Sequence, residues 1–236
     1  MEHPFTWNHV LGIPEKWHHV ATSVFVMGVI LLLAWRARAS LLSTADHGLT
    51  PDAKLTPRNF LEVLADFISG LAESVIGHHS ETYVPLMCSF FLFILLCNFV
   101  GMIPGFAPPT SNFNITLALG TVSFLAFNYW GFKKQGVGYL KHFVGPIWWL
   151  AVLMIPLEIV GALVRPFSLG LRLFGNLFGD HLVLEIFTDL TRVAVPVVFY
   201  LLGTLVTVIQ AFVFTLLSMI YIALAVAHHE DEADLL

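Results

Sequence analysis

PFSLGLRLFGNLFGDHLVLEIF, Pro166 to Phe187, is apolar enough for a membrane helix, yet it carries Arg172, Asn176, Asp180, His181 and Glu185. An arginine at the centre of a bilayer costs about 2.5–3.5 kcal/mol on insertion scales, so such residues mark sites of function. The rest of the chain sets the solvent. Of its 236 residues 57% are hydrophobic and 11% charged, too little polar surface to cover one soluble core. The expected fold class is an all-α polytopic membrane protein.

Outward from that stretch, long apolar runs predict five spans, about 19–37, 84–103, 115–132, 146–190 and 195–228. Each is judged against the roughly 20 residues that cross a bilayer core. They are expected to form a single integral membrane domain behind an outer segment, 1–18. MEHPFTWNHVLGIPEKWHH lacks a cationic stretch, an apolar core and a small-residue cleavage site, so the first run is expected to stay as a span. The connector 38–83 differs. After a polar stretch it spaces Phe60, Leu61, Leu64, Phe67, Ile68, Leu71 and Val75 at helical intervals, with Glu62, Asp66 and Glu73 between, which predicts an amphipathic surface helix.

Arg36, Arg38, Lys54 and Arg58 sit in or beside that connector, and Lys133, Lys134 and Lys141 follow the third span, whereas Gly101 to Asn114 has no Lys or Arg. The positive-inside tendency places the N-terminus outside and the HHEDEADLL tail in the cytoplasm. Tryptophans 148 and 149 read as interface anchors. His3, His9, His18 and His19 read as interfacial, and His78, His79, His228 and His229 as solvated ends.

The fourth run is too long for a perpendicular crossing. If helical from Pro146 to Leu190 it reaches about 67 Å, against a hydrocarbon core of roughly 30 Å. It must tilt, break or both, with Pro156 and Pro166 as candidate kinks. The fifth run, roughly 50 Å, is overlong too. Together they predict a strongly tilted hairpin lying against a partner.

On a helix, Ser168, Arg172, Asn176 and Asp180 form one i, i+4 ridge, flanked by Gly175 and Gly179, and Glu158 and Arg165 fall within about 40° of Arg172. His181 and Glu185 point to the opposite side. Glu158 and Arg165 then lie toward the inside of Arg172, and His181 and Glu185 toward the outside. Two offset sets of ionisable groups with a fixed cation between them suit a proton path in two halves, because the cation blocks a continuous wire and attracts a carboxylate on a partner. Arg165 reads equally as a path residue or as a cation snorkelling to the inner interface, Ser168 as path or packing, and Glu158 as a path acid or as a partner of Arg165, seven residues away and beyond the usual i+4 pair. Gln210 is expected to hydrogen-bond across to the arginine helix.

SLGLRLFGN, with Glu158 upstream and Gln210 in VIQAFVFTLLSMIYI, resembles the subunit a family of F-type ATP synthases in its bacterial form. The resemblance runs from HPFTW to AVAHHE and is strongest over 155–225. It implies a stator subunit that is not an enzyme by itself but the ion channel of the H⁺-transporting ATP synthase. Arg172 would face the essential carboxylates of the subunit c ring. Asn176, His181 and Gln210 match positions lining the ion path, and Glu158 matches an acid of the inner half. Further implied partners are a b or b/b′ peripheral stalk, the remaining ATP synthase subunits and the lipid bilayer; the implied location is the bacterial inner (plasma) membrane.

The sequence departs from the family in two places. Gly203 stands where relatives often carry an ionisable partner for the position of His181, and NFVGMIPGFAPPTSNFN has no acid where many bacterial relatives do. Asp180 and Glu185 stand as substitutes.

Other classes fit less well. No duplicated half points to a self-contained transporter, and no HExxH spacing points to an intramembrane metalloprotease. No metal or cofactor is expected, since no Cys/His ligand spacing occurs. Cys88 and Cys97, about 13 Å apart along one helix, are not expected to pair. No basic patch supports a nucleic-acid partner.

Overall fold

A computed structural model describes residues 12–43, 56–77, 80–103, 105–106, 108–136, 138–139, 151–190 and 194–226. Among them the regular structure is helical: α1 (His18–Ser43), α2 (Pro57–Ile76), α3 (Val84–Gly101), α4 (Phe113–Gln135), α5 (Ala151–Leu190) and α6 (Ala194–Val226). All but α2 are long and apolar enough to cross a membrane, over His18–Ser40, Val84–Gly101, Phe113–Gln135, Val152–Thr188 and Val197–Val226. Each of the five expected spans thus has a counterpart among these helices, and the amphipathic helix stands apart from them; residues 146–150 and 227–228 of the fourth and fifth expected spans lie outside the described residues. Tryptophans 148 and 149, Lys54, Lys141 and the histidines expected at 3, 9, 78, 79, 228 and 229 lie outside the described residues.

Two compact units divide the described chain, one drawn from the residues up to Pro109 with Tyr200–Thr215, the other from Thr110–Phe199 with the residues from Leu216 onward. In the first unit, α2 begins where the sequence dictates: Thr56 caps it by accepting from the Asn59 N–H at 3.4 Å, and Pro57 occupies the first turn. It ends at Gly77, whose φ of 88° suits glycine and whose N–H reaches the Glu73 carbonyl. Leu64, Ile68 and Ala72, spaced at i, i+4, are buried, while Asp66 and Glu73 stay exposed. Arg58 is buried as well, its Nε donating to Glu62 Oε1 one turn on, at 2.7 Å. Phe90 of α3 meets Phe214 of α6 edge-on at 5.5 Å, adding a quadrupolar contact to the buried area.

The second unit positions the charged helix. Asn112 caps α4 by accepting from the Asn114 N–H at 3.0 Å. Phe113 then lies edge-on to Phe167 and to Phe174 of α5, each at 5.8 Å. Midway along, the two helices touch backbone to backbone. A Cβ at Gly120 would overlap the Pro166 carbonyl oxygen, and one at Gly170 would lie 2.8 Å from the Thr116 carbonyl oxygen. Small residues allow such an approach, and in lipid close packing replaces the hydrophobic drive that water supplies.

Helix α6 is tied to α4 by a buried Ser123–Ser218 hydrogen bond of 2.9 Å and by Gln135 Nε2 donating to the Ala225 carbonyl at 2.9 Å. Ser123→Ala should cost about 0.6–1 kcal/mol, in the range of interhelical membrane hydrogen bonds. Thermal melting in detergent measures it, and the Ser123→Ala/Ser218→Ala pair should cost less than the sum of the single changes.

Candidate functional site

Helix α5 runs unbroken for 40 residues through both Pro156 and Pro166, so of the two expected ways to fit its length the break is not used. A proline within a membrane helix is tolerated when neighbouring groups take up the freed carbonyl. The helix is about 60 Å long. Phe187 near its end stacks on Phe199 at the start of α6 at 4.6 Å, and Arg165 near its beginning lies over Tyr221 near the end of α6. Within this unit the two helices therefore run antiparallel.

Leu169, Leu173 and Leu177 are buried, as is Gly170 against α4. One residue step, about 100°, turns the helix from those leucines to Ser168, Arg172 and Asn176. Arg172 and Asn176 are exposed, and Ser168 is half-buried. The apolar face thus holds the helix in place and presents the polar ridge away from its own unit. A Cβ built at Gly161, Gly175 or Gly179 meets nothing within 4 Å, so the surface beside the ridge stays low. Leu153, Leu157, Val160, Val164, Leu171 and Phe178 add an exposed apolar strip. A guanidinium set in such a surface offers five donors and a charge that does not titrate.

Toward the start of the helix, Arg165 Nη2 lies 3.6 Å from Glu158 Oε1, both side chains about a third exposed (32% and 27%). Seven residues exceed the usual i+4 reach, but helical side chains lean toward the N-terminus, so the long Arg165 side chain folds back over two turns to meet the acid. The structure thus makes the Glu158–Arg165 pair that the sequence offers as the structural reading of Glu158. Toward the other end, Asp180 and His181 are adjacent and half-buried; Glu185 is on the same helix, and its side chain lies outside the described residues.

On α6, Gln210 is buried at 5% exposure. Gly203 lies beside Met102, the residue after α3, whose Cε would stand 3.9 Å from a Cβ there. Thr204 donates to the Met102 sulfur at 3.4 Å.

Tyr139 and Tyr221 escaped sequence reasoning. Tyr221 lies eleven residues, about three turns, beyond Gln210 and within roughly 20° of it around α6, a spacing that could have flagged it. Among the described residues no group of three or more His, Cys, Asp or Glu is arranged to hold a metal ion.

The profile of the family described as ATP synthase A chain matches residues 20–223. The chain is 46% identical over 226 residues to ATP synthase subunit a of Bdellovibrio bacteriovorus, covering 95% of this chain and 98% of that one. It is 44% identical over 214 residues to ATP synthase subunit a of Trichlorobacter lovleyi, covering 91% and 90%. Against ATP synthase subunit a of Geobacter sulfurreducens the identity is 51% over 165 residues, covering 70% and 72%.

Proposed function

The chain belongs to the ATP synthase subunit a family, a membrane channel subunit rather than a catalytic one, and from that premise we propose that it is the stator against which a ring of c subunits turns as protons cross. The observation that carries this reading is the exposed Arg172–Asn176 ridge, held outward by a buried leucine face on the same helix.

A ring carboxylate arriving ionised is attracted to the Arg172 guanidinium. In a low-dielectric setting that attraction is far stronger than in water. A proton from the outer half-path, through Asn176, Asp180, His181, Glu185 and Gln210, neutralises the carboxylate next to it, and a neutral carboxyl can move into lipid where a charged one cannot. After rotation the proton leaves by the inner half, past Ser168 and through Glu158. Arg172 remains charged throughout and keeps the halves apart. One charge crossing 100 mV releases about 2.3 kcal/mol, so several protons combine for each ATP.

The excess length of α5 and α6 fits a strong tilt along the curved face of the ring. The chain works as one integral membrane domain, N-terminus outside and C-terminus cytoplasmic, with Arg36, Arg38, Lys133 and Lys134 at inner helix ends. The peripheral stalk of b or b/b′ subunits and the catalytic head complete the assembly in the bacterial inner membrane.

A requirement for the ring separates this reading from a self-contained transporter. Vesicles holding the chain alone should pass protons at background rate under a potassium diffusion potential, and co-reconstitution with the c ring should raise the rate at least about tenfold. Equal flux with and without the ring would exclude the stator role.

A further inference from the structure

Among the described residues, Arg165 meets two partners of different kinds. Glu158 lies 3.6 Å away, and the Arg165 guanidinium carbon stands 5.8 Å from the centroid of the Tyr221 ring, within the range of a cation–π attraction. That ring does not move freely. Its centroid is 5.9 Å from that of Phe127, which is 2% exposed and itself lies edge-on to Phe124 at 5.2 Å. One residue beyond Phe127, Asn128 accepts a hydrogen bond from the Tyr139 hydroxyl at 3.1 Å. Burial raises the pKa of Tyr139, while Arg165 lowers it and Glu158 raises it, so both charges act on this phenol. Arg165 thus sits in an aromatic setting built by α4, α6 and the turn after α4.

We propose that Tyr221 is a positioning residue for the inner half-path, its braced ring face holding the Arg165 guanidinium beside Glu158 whether or not that carboxyl carries a proton. The inference rests on Glu158 being the inner path acid. While Glu158 is ionised, Coulomb attraction keeps Arg165 in place. Once a proton arrives, that attraction is lost, and a long cation in an apolar setting would swing to water or toward the ring carboxylates that Arg172 must meet. An aromatic face attracts the cation through its quadrupole and neither accepts nor supplies the proton, so its hold is the same in both states. Arg165 then waits in register to stabilise the carboxylate as the proton leaves.

The test uses vesicles containing the whole complex, stripped of the catalytic head, with passive proton conductance measured under a diffusion potential. Tyr221→Leu should lower conductance about three- to tenfold at normal amounts of assembled chain, since an aromatic face is lost. Tyr221→Phe and Tyr221→Trp, which keep a face, should retain at least about half the native value. In an Arg165→Gln background, Tyr221→Leu should cause no further fall. That last result separates positioning from packing, because a purely structural tyrosine would matter in either background. Should Tyr221→Leu fail to assemble, Tyr221→Met supplies flexible apolar volume for the same comparison.

Native conductance in the leucine or methionine variant overturns the proposal, as does an equal fall in the Arg165→Gln background, or a loss in Tyr221→Phe as large as in Tyr221→Leu. Native conductance in Glu158→Gln would instead remove the reading of Glu158 on which the inference rests.

Discussion

Complexes carrying Arg172→Ala should assemble normally, lose ATP-driven proton pumping at least about 100-fold, and leak protons once the head is stripped. The structure separates the two halves of this expectation. Assembly survives because Arg172 is exposed on its own chain, while the packing of α5 rests on Leu169, Leu173, Leu177 and Gly170. Removing the side chain leaves no cavity among those leucines. Pumping is lost because no other fixed cation on the ridge can meet an ionised ring carboxylate; Arg165, two turns away, is engaged with Glu158 and Tyr221. Under the proposed function the leak follows from the missing barrier, since a hydronium would no longer meet a permanent positive charge between the two half-paths. Fluorescence quenching in vesicles measures pumping and leak in one preparation, with immunodetection of the retained chain as control. Pumping at native coupling would make Arg172 a structural residue.

A second large effect is expected from Gly170→Leu. The Cβ alone would lie 2.8 Å from the Thr116 carbonyl oxygen and 3.1 Å from the Leu117 Cα and N, backbone atoms that cannot rotate aside. Gly170→Ala should cost about 1–3 kcal/mol, the usual scale of overpacking, and leucine more. The helices must separate, carrying the Phe113 ring from Phe167 and Phe174 and moving Arg172, two residues on. The expected result is that chain recovered in purified complexes falls at least about fivefold for Gly170→Leu, with a smaller loss for Gly170→Ala. Gly28→Leu is the control: nothing lies within 4 Å of a Cβ at Gly28, so recovery should stay at the native level. Equal recovery of Gly170→Leu and Gly28→Leu would mean that the α4–α5 contact does not hold the helix.

Most of the fold was legible because hydropathy reports the bilayer directly. The five apolar runs became the five long helices, and the helical spacing of Leu64, Ile68 and Leu71 among acids became α2. Helix ends were less legible. The run ending near residue 37 continues as helix to Ser43, because ARASLLS is compatible with helix although its arginines end the apolar signal. At the site, the helical wheel placed Glu158, Arg165 and Arg172 on one face. It left the Glu158–Arg165 pair as one of two readings of Glu158, since reach across seven residues depends on side-chain direction rather than spacing. Tyr221 and Tyr139 were not legible as site residues because aromatic rings near span ends have an ordinary interfacial reading. The glycine contact carried a weak signal, Thr116 and Gly120 four apart facing Pro166 and Gly170 four apart, but pairing across helices is not written along either one.

That contact also has a mechanical side. A turning ring exerts an equal and opposite push on whatever it turns against, and under the proposed function the push falls on α5 at Arg172. Side chains between two helices act as springs, because rotamers yield under load. At Gly120 and Gly170 backbone meets backbone, with no rotamer to give way. Close-packed interiors have low compressibility and transmit strain. Under that function the recoil of each step would be passed to α4 with little lost in deformation, and the arginine would keep a fixed station while the carboxylates go by.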